Sequence, residues 1–252
     1  MKKDTSWDNV ASWYDTLLED KEATYQGRVI LPNLLRLLDI KKGDTVLDIA
    51  CGPGFFAHEI EKKGARVIGV DLSPKLISRA KTMYGDSIEF RIAPAHEVLF
   101  VKDKSVDSVI IVLAIQNIED IHAVFKECAR VLKPKGRLYL VLNHPAFRVP
   151  KESSWGFDNE TKVQYRRVNR YLSEQKSKIQ MHPGDKSHEY TISFHRPLQS
   201  YVKSLGKQRL YIRRLEEWVS DKISEPGPHA DAENRARGEF PLFMCIEAIN
   251  VI

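Results

Sequence analysis

The stretch Val46-Leu47-Asp48-Ile49-Ala50-Cys51-Gly52-Pro53-Gly54-Phe55-Phe56 decides how the chain folds. Val46, Leu47 and Ile49 suit a strand that is covered on both faces. Gly52 and Gly54 allow backbone N–H groups to approach a ligand where the next helix begins. Asp48 stands near the strand's carboxyl end, four residues before Gly52. A bound pyrophosphate would be repelled by that carboxylate, whereas a cation would be attracted. The ligand is therefore expected to carry positive charge, as S-adenosylmethionine does through its sulfonium and ammonium groups.

Asp71 ends a second apolar run, Val67-Ile68-Gly69-Val70, at the distance from the glycines that a βαβ unit needs. An acidic side chain there can grip ribose hydroxyls. With both elements in view, the chain resembles the class I S-adenosylmethionine-dependent methyltransferases of the small-molecule type. Their first motif reads Asp-x-x-x-Gly-x-Gly, and their second strand ends in an acid. The resemblance spans Trp7 to Leu142. It implies an α/β, Rossmann-like, seven-stranded and mostly parallel sheet with an antiparallel last strand, helices on both faces and an inserted cap after the fifth strand. It also implies S-adenosylmethionine as cofactor, contacted by Tyr25, Asp48, Ala50, Gly52, Gly54, Asp71, Leu72, Ala95, His96 and Ala114. An NAD enzyme is the rival, because Gly52, Gly54 and Ala57 also satisfy a dinucleotide pattern. Asp48 opposes it, and so does Pro53, which removes one N–H from the loop.

Outward from this unit, helix and strand alternate. Asp8 to Leu38 reads as helical, with Pro32 opening a second helix or kinking a long one. Residues 1–40 would form an N-terminal lid in which Tyr14 and Tyr25 either face the donor's methionine end or serve as core aromatics. Ser73-Pro74 gives the N-cap and first position of a helix whose Leu76, Ile77, Ala80, Met83 and Tyr84 recur at helical spacing. Ser87 to Ile92 is a third strand. Where the family usually has an acid that reads adenine, this chain has Pro94, which leaves adenine to backbone near Ala95 or to His96; a surface role for His96 is the other reading. Val106 to Leu113 is the fourth strand. Gln116 and Asn117 follow it and either orient a substrate or cap the helix from Glu119 to Leu132. Arg137 to Leu142 is the fifth strand, after the turn Lys133-Pro134-Lys135-Gly136.

Residues 143–197 are polar, aromatic and basic and read as the inserted substrate cap, with a surface excursion as the alternative. Leu198 to Leu205 suits a helix, Leu210 to Trp218 and Phe240 to Val251 the last two strands, and Ser224 to Arg237 a loop with a short helix. The whole chain, 1–252, is expected to be one methyltransferase domain.

Methyl transfer from a sulfonium is an in-line displacement, so alignment and exclusion of water matter more than covalent chemistry. Where an acceptor must lose a proton, His144 is the leading base, with Asn143 orienting the acceptor and Tyr14 near the methyl. Trp155, Tyr165, Arg166, Tyr171 and His195 are candidate acceptor contacts. Arg166 with Arg167 offers charge for a carboxylate or phosphate. The acceptor is expected to be a small molecule, methylated on O, N or S, with an anionic group accommodated.

The formal charge of +5 sits among 34 acidic residues, so a solvated surface accounts for most basic ones. RNA or protein methylation and a non-catalytic cofactor-binding partner remain as alternatives. No DNA-modifying motif and no metal-ligand spacing is present, so neither DNA nor a bound metal is expected. Three cysteines, far apart and odd in number, suit a reducing compartment. The chain lacks a signal-like apolar start and any long apolar run, and a cytoplasmic location without membrane attachment is expected.

Overall fold

A computed structural model describes residues 24–180 and 190–251. Tyr14 and the rest of the expected lid before residue 24 lie outside them. Gln26–Ile30 forms a wide π-type turn that runs into helix α1, Leu31–Leu38, with Pro32 in its first turn. Pro32 thus opens a helix, because its missing N–H costs nothing there.

The following elements alternate: β1 Thr45–Ile49, α2 Phe55–Glu61, β2 Arg66–Asp71, α3 Pro74–Tyr84, β3 Glu89–Ile92, β4 Val106–Val112, α4 Ile121–Val131 and β5 Leu132–Asn143. The excursion after β5 consists of two antiparallel hairpins, β6 Ser153–Asp158 with β7 Val163–Val168, and β8 Gln175–Gln180 with β9 Tyr190–His195. Helix α5 Leu198–Lys207, strand β10 Leu210–Trp218, helix α6 Ala230–Glu239 and strand β11 Phe243–Asn250 complete the chain.

The main sheet has seven strands in the order β10-β11-β5-β4-β1-β2-β3. β1 pairs in parallel with both β2 and β4, and only β11 runs against its neighbours β5 and β10. This is the expected α/β architecture with its antiparallel last strand. The order reverses between β1 and β4, so the crevice at their carboxyl ends is the natural ligand site.

The alternation of side chains along β1 explains why its sequence is almost wholly apolar. Leu47 and Ile49 pack in the layer that includes Phe125 and Cys128 of α4 and Tyr201 and Leu205 of α5. Val46 faces the opposite layer, which holds Leu34 of α1, Phe56 and Ile60 of α2 and Ile77 of α3. Both faces of the sheet are therefore buried, as parallel strands require.

Several boundaries differ from the sequence reading, two of them for a reason visible in the backbone. Leu132 already pairs with Val106, so β5 begins before the Lys133–Gly136 turn, and a register shift between Val106 and Ser108 absorbs it. Lys135, at φ 66°, makes the bend in the left-handed region. Residues 85–87 form a single 3-10 turn, which delays β3 to Glu89.

Candidate functional site

The crevice at the tips of β1, β2 and β4 opens into a cleft of about 530 Å³. That is within the usual size of a cofactor pocket. Of the ten expected cofactor contacts, Asp48, Ala50, Gly52, Asp71, Leu72, Ala95, His96 and Ala114 all line it. Gly54 shapes the loop from behind, and Tyr25 lies elsewhere.

Backbone geometry makes the loop possible. Gly52 and Gly54 have φ of 56° and 88°, in the left-handed region where side chains are costly. A Cβ on Gly54 would also stand 2.7 Å from the Phe90 ring on β3. Ala50 and Leu113 end their strands at φ 58° and 54°, unusual for residues with side chains. Both line the cleft. Strain held at two adjacent strand ends is a feature of functional sites.

Asp71 organises the loop. One carboxylate oxygen accepts from the Gly52 N–H at 3.0 Å and the other from the Ser73 N–H at 2.8 Å. A carboxylate oxygen can accept more than one hydrogen bond, so Asp71 can serve the loop and a ligand hydroxyl together. Ser73 caps α3 by accepting from the Leu76 N–H.

Asp48 is almost completely buried, at 2% exposure, and its Oδ2 is a buried oxygen with no hydrogen-bond partner. Burial, and then the nearby negative charge of Asp71, push its pKa well above the ordinary carboxylate value. A cationic ligand would favour the ionised form of Asp48. The same burial, with Asp48 and Asp71 close by, raises the Cys51 thiol far above its usual range, so Cys51 is a small filler and not a nucleophile. All three cysteines are buried and free.

Beyond β4 the cleft is bounded by Asn117, Ile118, Glu119 and Asp120 and by Lys176, Ile192 and Phe194 of the second hairpin. Asp120 caps α4 by accepting from the Ala123 N–H. Neither Gln116 nor Asn117 is therefore the helix cap. Gln116 donates to the Leu113 carbonyl and does not line the cleft, whereas Asn117 does.

Other expected contacts fall away from this cleft. The His144 imidazole is buried against Glu217, 2.6 Å from its carboxylate, and accepts from the Ala146 N–H. Burial holds its pKa below the usual histidine value despite Glu217. Asn143, the last residue of β5, pairs with Phe243 and does not line the cleft. Tyr171 and His195 form a lock behind the second hairpin: His195 Nε2 meets the Tyr171 carbonyl at 2.7 Å, and the Tyr171 hydroxyl accepts from the Leu198 N–H. Tyr165 is exposed and lies over Gly156 of the facing strand.

Tyr25, Trp155 and Arg166 meet in a second, smaller depression beside β5 and β11. On the far side of the cofactor cleft the sequence reading missed Ile118, Glu119, Asp120, Lys176, Ile192 and Phe194. Asp120 was legible as an N-cap ahead of an apolar periodic run; Lys176, Ile192 and Phe194 carried no local signal, because only hairpin pairing brings them to the rim.

Residues 47–140 match the family model described as a methyltransferase domain. The sheet order and the acids at the tips of β1 and β2 make this stretch similar to a class I S-adenosylmethionine-dependent methyltransferase domain. The methyltransferase match covers β1 through most of β5, the part of the sheet that carries both Asp48 and Asp71. A demethylmenaquinone methyltransferase of Tropheryma whipplei is 33% identical over 44% of this chain and 46% of its own length. A ubiquinone biosynthesis O-methyltransferase of Xanthomonas oryzae pv. oryzae is 29% identical over 51% of this chain and 54% of its own. The chain thus spans about half the length of these curated relatives. A crystallised S-adenosylmethionine-dependent methyltransferase from Mesorhizobium loti superposes with a TM-score of 0.70, at 24% identity, over 91% of this chain and 99% of that one, and so shares the fold.

The cleft suits S-adenosylmethionine on observations of this chain alone: the unpartnered Asp48 oxygen suits a cationic ligand, and the Asp71 carboxylate can accept from ligand hydroxyls. Pro94, Ala95 and His96 line the β3 side. Among the described residues no helix is long and apolar enough to cross a membrane.

Proposed function

We propose that the protein transfers a methyl group from S-adenosylmethionine to a small-molecule acceptor. The observation that carries this reading is the buried, unpartnered Asp48 oxygen beside Asp71 at the foot of a glycine loop. A cationic nucleoside resolves that electrostatic deficit, whereas a dinucleotide pyrophosphate deepens it. The relatives named for demethylmenaquinone and for ubiquinone biosynthesis support a small-molecule acceptor, with oxygen as one methylated atom.

When bound, the cofactor supplies an electrophilic methyl group. Asp71 would hold its ribose, Asp48 would stabilise positive charge, and Ala50, Leu72, Pro94 and Ala95 would wall the nucleoside off from water. Asn117 is the polar cleft residue nearest the tip of β4 in sequence and would orient an acceptor without changing charge. Glu119 and Asp120 are the acids on that side. The His144 imidazole, bonded to Glu217, is outside the cleft lining and packs beside Phe147 of the second depression.

Calorimetric titration with S-adenosylmethionine and, separately, NAD tests the reading. Binding of the first alone is expected. Asp71→Ala should weaken it about tenfold or more, the cost of hydrogen bonds to a charged group. Asp71→Asn, which keeps one acceptor oxygen, should lie between. Binding of NAD, or undiminished affinity in both variants, would reject the assignment.

A further inference from the structure

The second depression, about 220 Å³, lies outside the cofactor cleft and is walled by Tyr25, Phe147, Trp155 and Phe240, with Arg148 and Arg166 in its lining. The rings form a box. Trp155 and Phe147 each meet Phe240 edge to face, at centroid distances of 5.4 Å. Such edge-to-face contacts are a stable arrangement, and the outer side of the box is closed by His144 beside Phe147, at 4.7 Å, and Lys222 over the Tyr25 ring, at 5.1 Å.

The two guanidinium groups lack the carboxylate partner that several other arginines of this chain have. Arg28 pairs with Asp221, Arg36 with Glu216 and Arg130 with Glu127 and Asp103. Arg166 instead donates Nε to the Phe147 carbonyl and Nη2 to the Ser153 hydroxyl, both at 2.8 Å, while its guanidinium lies 5.1 Å from the centre of the Trp155 ring. Those contacts fix its direction but leave its charge unbalanced. Arg148 has neither a carboxylate partner nor a side-chain hydrogen bond among the described residues. Packed protein around its head group and the like charge of Arg166 both lower its pKa, while one face stays open to solvent. Two like charges held together in an aromatic box, with no acid beside them, are arranged for an oxyanion.

The position of the box gives that oxyanion a meaning. Tyr25 packs edge-on against Phe243, which pairs with Asn143 at the carboxyl end of β5. Leu113, in the wall of the cofactor cleft, donates its N–H to Val141 of β5. The box therefore sits on the same rim of the sheet, past β4 and opposite the Asp71 end. A donor whose ribose were held at β2 and whose methyl-bearing end reached toward β4 would present that methyl on the β5 side, where the box lies.

We propose that this box is the acceptor's specificity site, with Arg148 and Arg166 binding a carboxylate or phosphate on a planar, ring-containing acceptor. The proposal rests on the methyltransferase reading for the word acceptor, but the oxyanion site itself can be examined without the cofactor. It also revises the expected Arg166 and Arg167 pair. On β7 these neighbours point to opposite faces, and Arg167 is exposed beside Asn169. Arg148, from the segment after β5, supplies the second charge.

The test titrates the full chain with benzoate, phenyl phosphate and neutral benzamide, and separately with S-adenosylmethionine. Benzoate or phenyl phosphate should bind, more weakly as salt rises, and benzamide should not. The stronger of the two oxyanions identifies the group the acceptor carries. Arg148→Gln should weaken oxyanion binding about tenfold or more, as expected for losing a charged hydrogen bond, and should leave the affinity for S-adenosylmethionine within a factor of about two, since Arg148 lies outside that cleft. Arg167→Gln should leave both unchanged. Absence of oxyanion binding, equal binding of benzamide, or equal loss in the Arg148 and Arg167 variants would overturn the proposal. Loss of S-adenosylmethionine binding in the unaltered chain would instead overturn the functional reading.

Discussion

Asp48 shows how much depends on one carboxylate. In the cofactor-free cleft, burial and the charge of Asp71 raise its pKa well above 3.8. A cationic ligand favours the ionised form, so its pKa in the complex is lower than in the free protein. The sign follows from linkage. Between those two values the complex holds fewer protons than its separated components, so binding releases a proton and tightens as pH rises; above the free-protein value the dependence levels off. Calorimetry of S-adenosylmethionine binding from about pH 5 to about pH 8, in two buffers of different ionisation heat, measures this release. Asp48→Asn should abolish the proton release while weakening affinity. A buffer-independent heat throughout that range in the unaltered protein would contradict this account. His144 illustrates the opposite lesson. Its place directly after the fifth strand suggested a catalytic base, yet Glu217, far away in sequence, captures the ring. No local pattern could have revealed that partner.

Legibility differs sharply between elements. Helix α3 was readable from its cap, because Ser73 accepts from an N–H three residues on and apolar residues repeat behind it, whereas α4 was read from its apolar repeat alone, its true cap Asp120 being passed over for Gln116 or Asn117. The glycine loop was readable because only glycine tolerates its geometry beside Phe90. The hairpins after β5 were not readable as strands. β7 alternates only between exposed and half-buried residues, so it lacks the apolar face that gives strands their sequence signature. Its consequence was also hidden, since only a period of two shows that Arg166 and Arg167 part company. The second hairpin is tied to the cofactor cleft by Arg196, which is 6% exposed. Its Nη2 donates to the carbonyls of Ile118 at 3.0 Å and Glu119 at 2.5 Å, and its guanidinium lies 5.1 Å from the Phe194 ring centre. Ile118, Glu119 and Phe194 all line the cleft. Arg196 thus positions the wall through two backbone groups. Arg196→Ala should cost about 1 to 3 kcal/mol in denaturant-measured stability, from buried acceptors left unpaired. It should also weaken S-adenosylmethionine binding severalfold, although Arg196 is not in the lining. Arg196→Lys should recover part of both. Unchanged cofactor affinity in a destabilised Arg196→Ala protein would show that the wall does not depend on this clamp.

Across the whole molecule, function is laid out along one rim of the sheet. The order β2, β1, β4, β5, β11 runs from Asp71 to the arginine box, and neighbouring strands are spaced roughly 4.8 Å apart. A cofactor anchored at β2 can therefore present its reactive end near β4, one or two strands short of the box. This arrangement predicts separable footprints in hydrogen exchange. S-adenosylmethionine should slow exchange in residues 50–57, 71–76, 93–96 and 112–120, where backbone groups line the cleft or stand directly behind it. Residues 153–168, the first hairpin, should be unaffected. Benzoate should protect the region from Phe147 through the first hairpin and leave residues 71–76 unchanged, because no wall residue of the box comes from β2 or α3. Protection of the first hairpin by S-adenosylmethionine with none at residues 71–76 would place the donor at the opposite end. In that arrangement Asp71 would have no ligand to hold, the box would be a donor subsite, and the direction of transfer along the rim would have to be reversed.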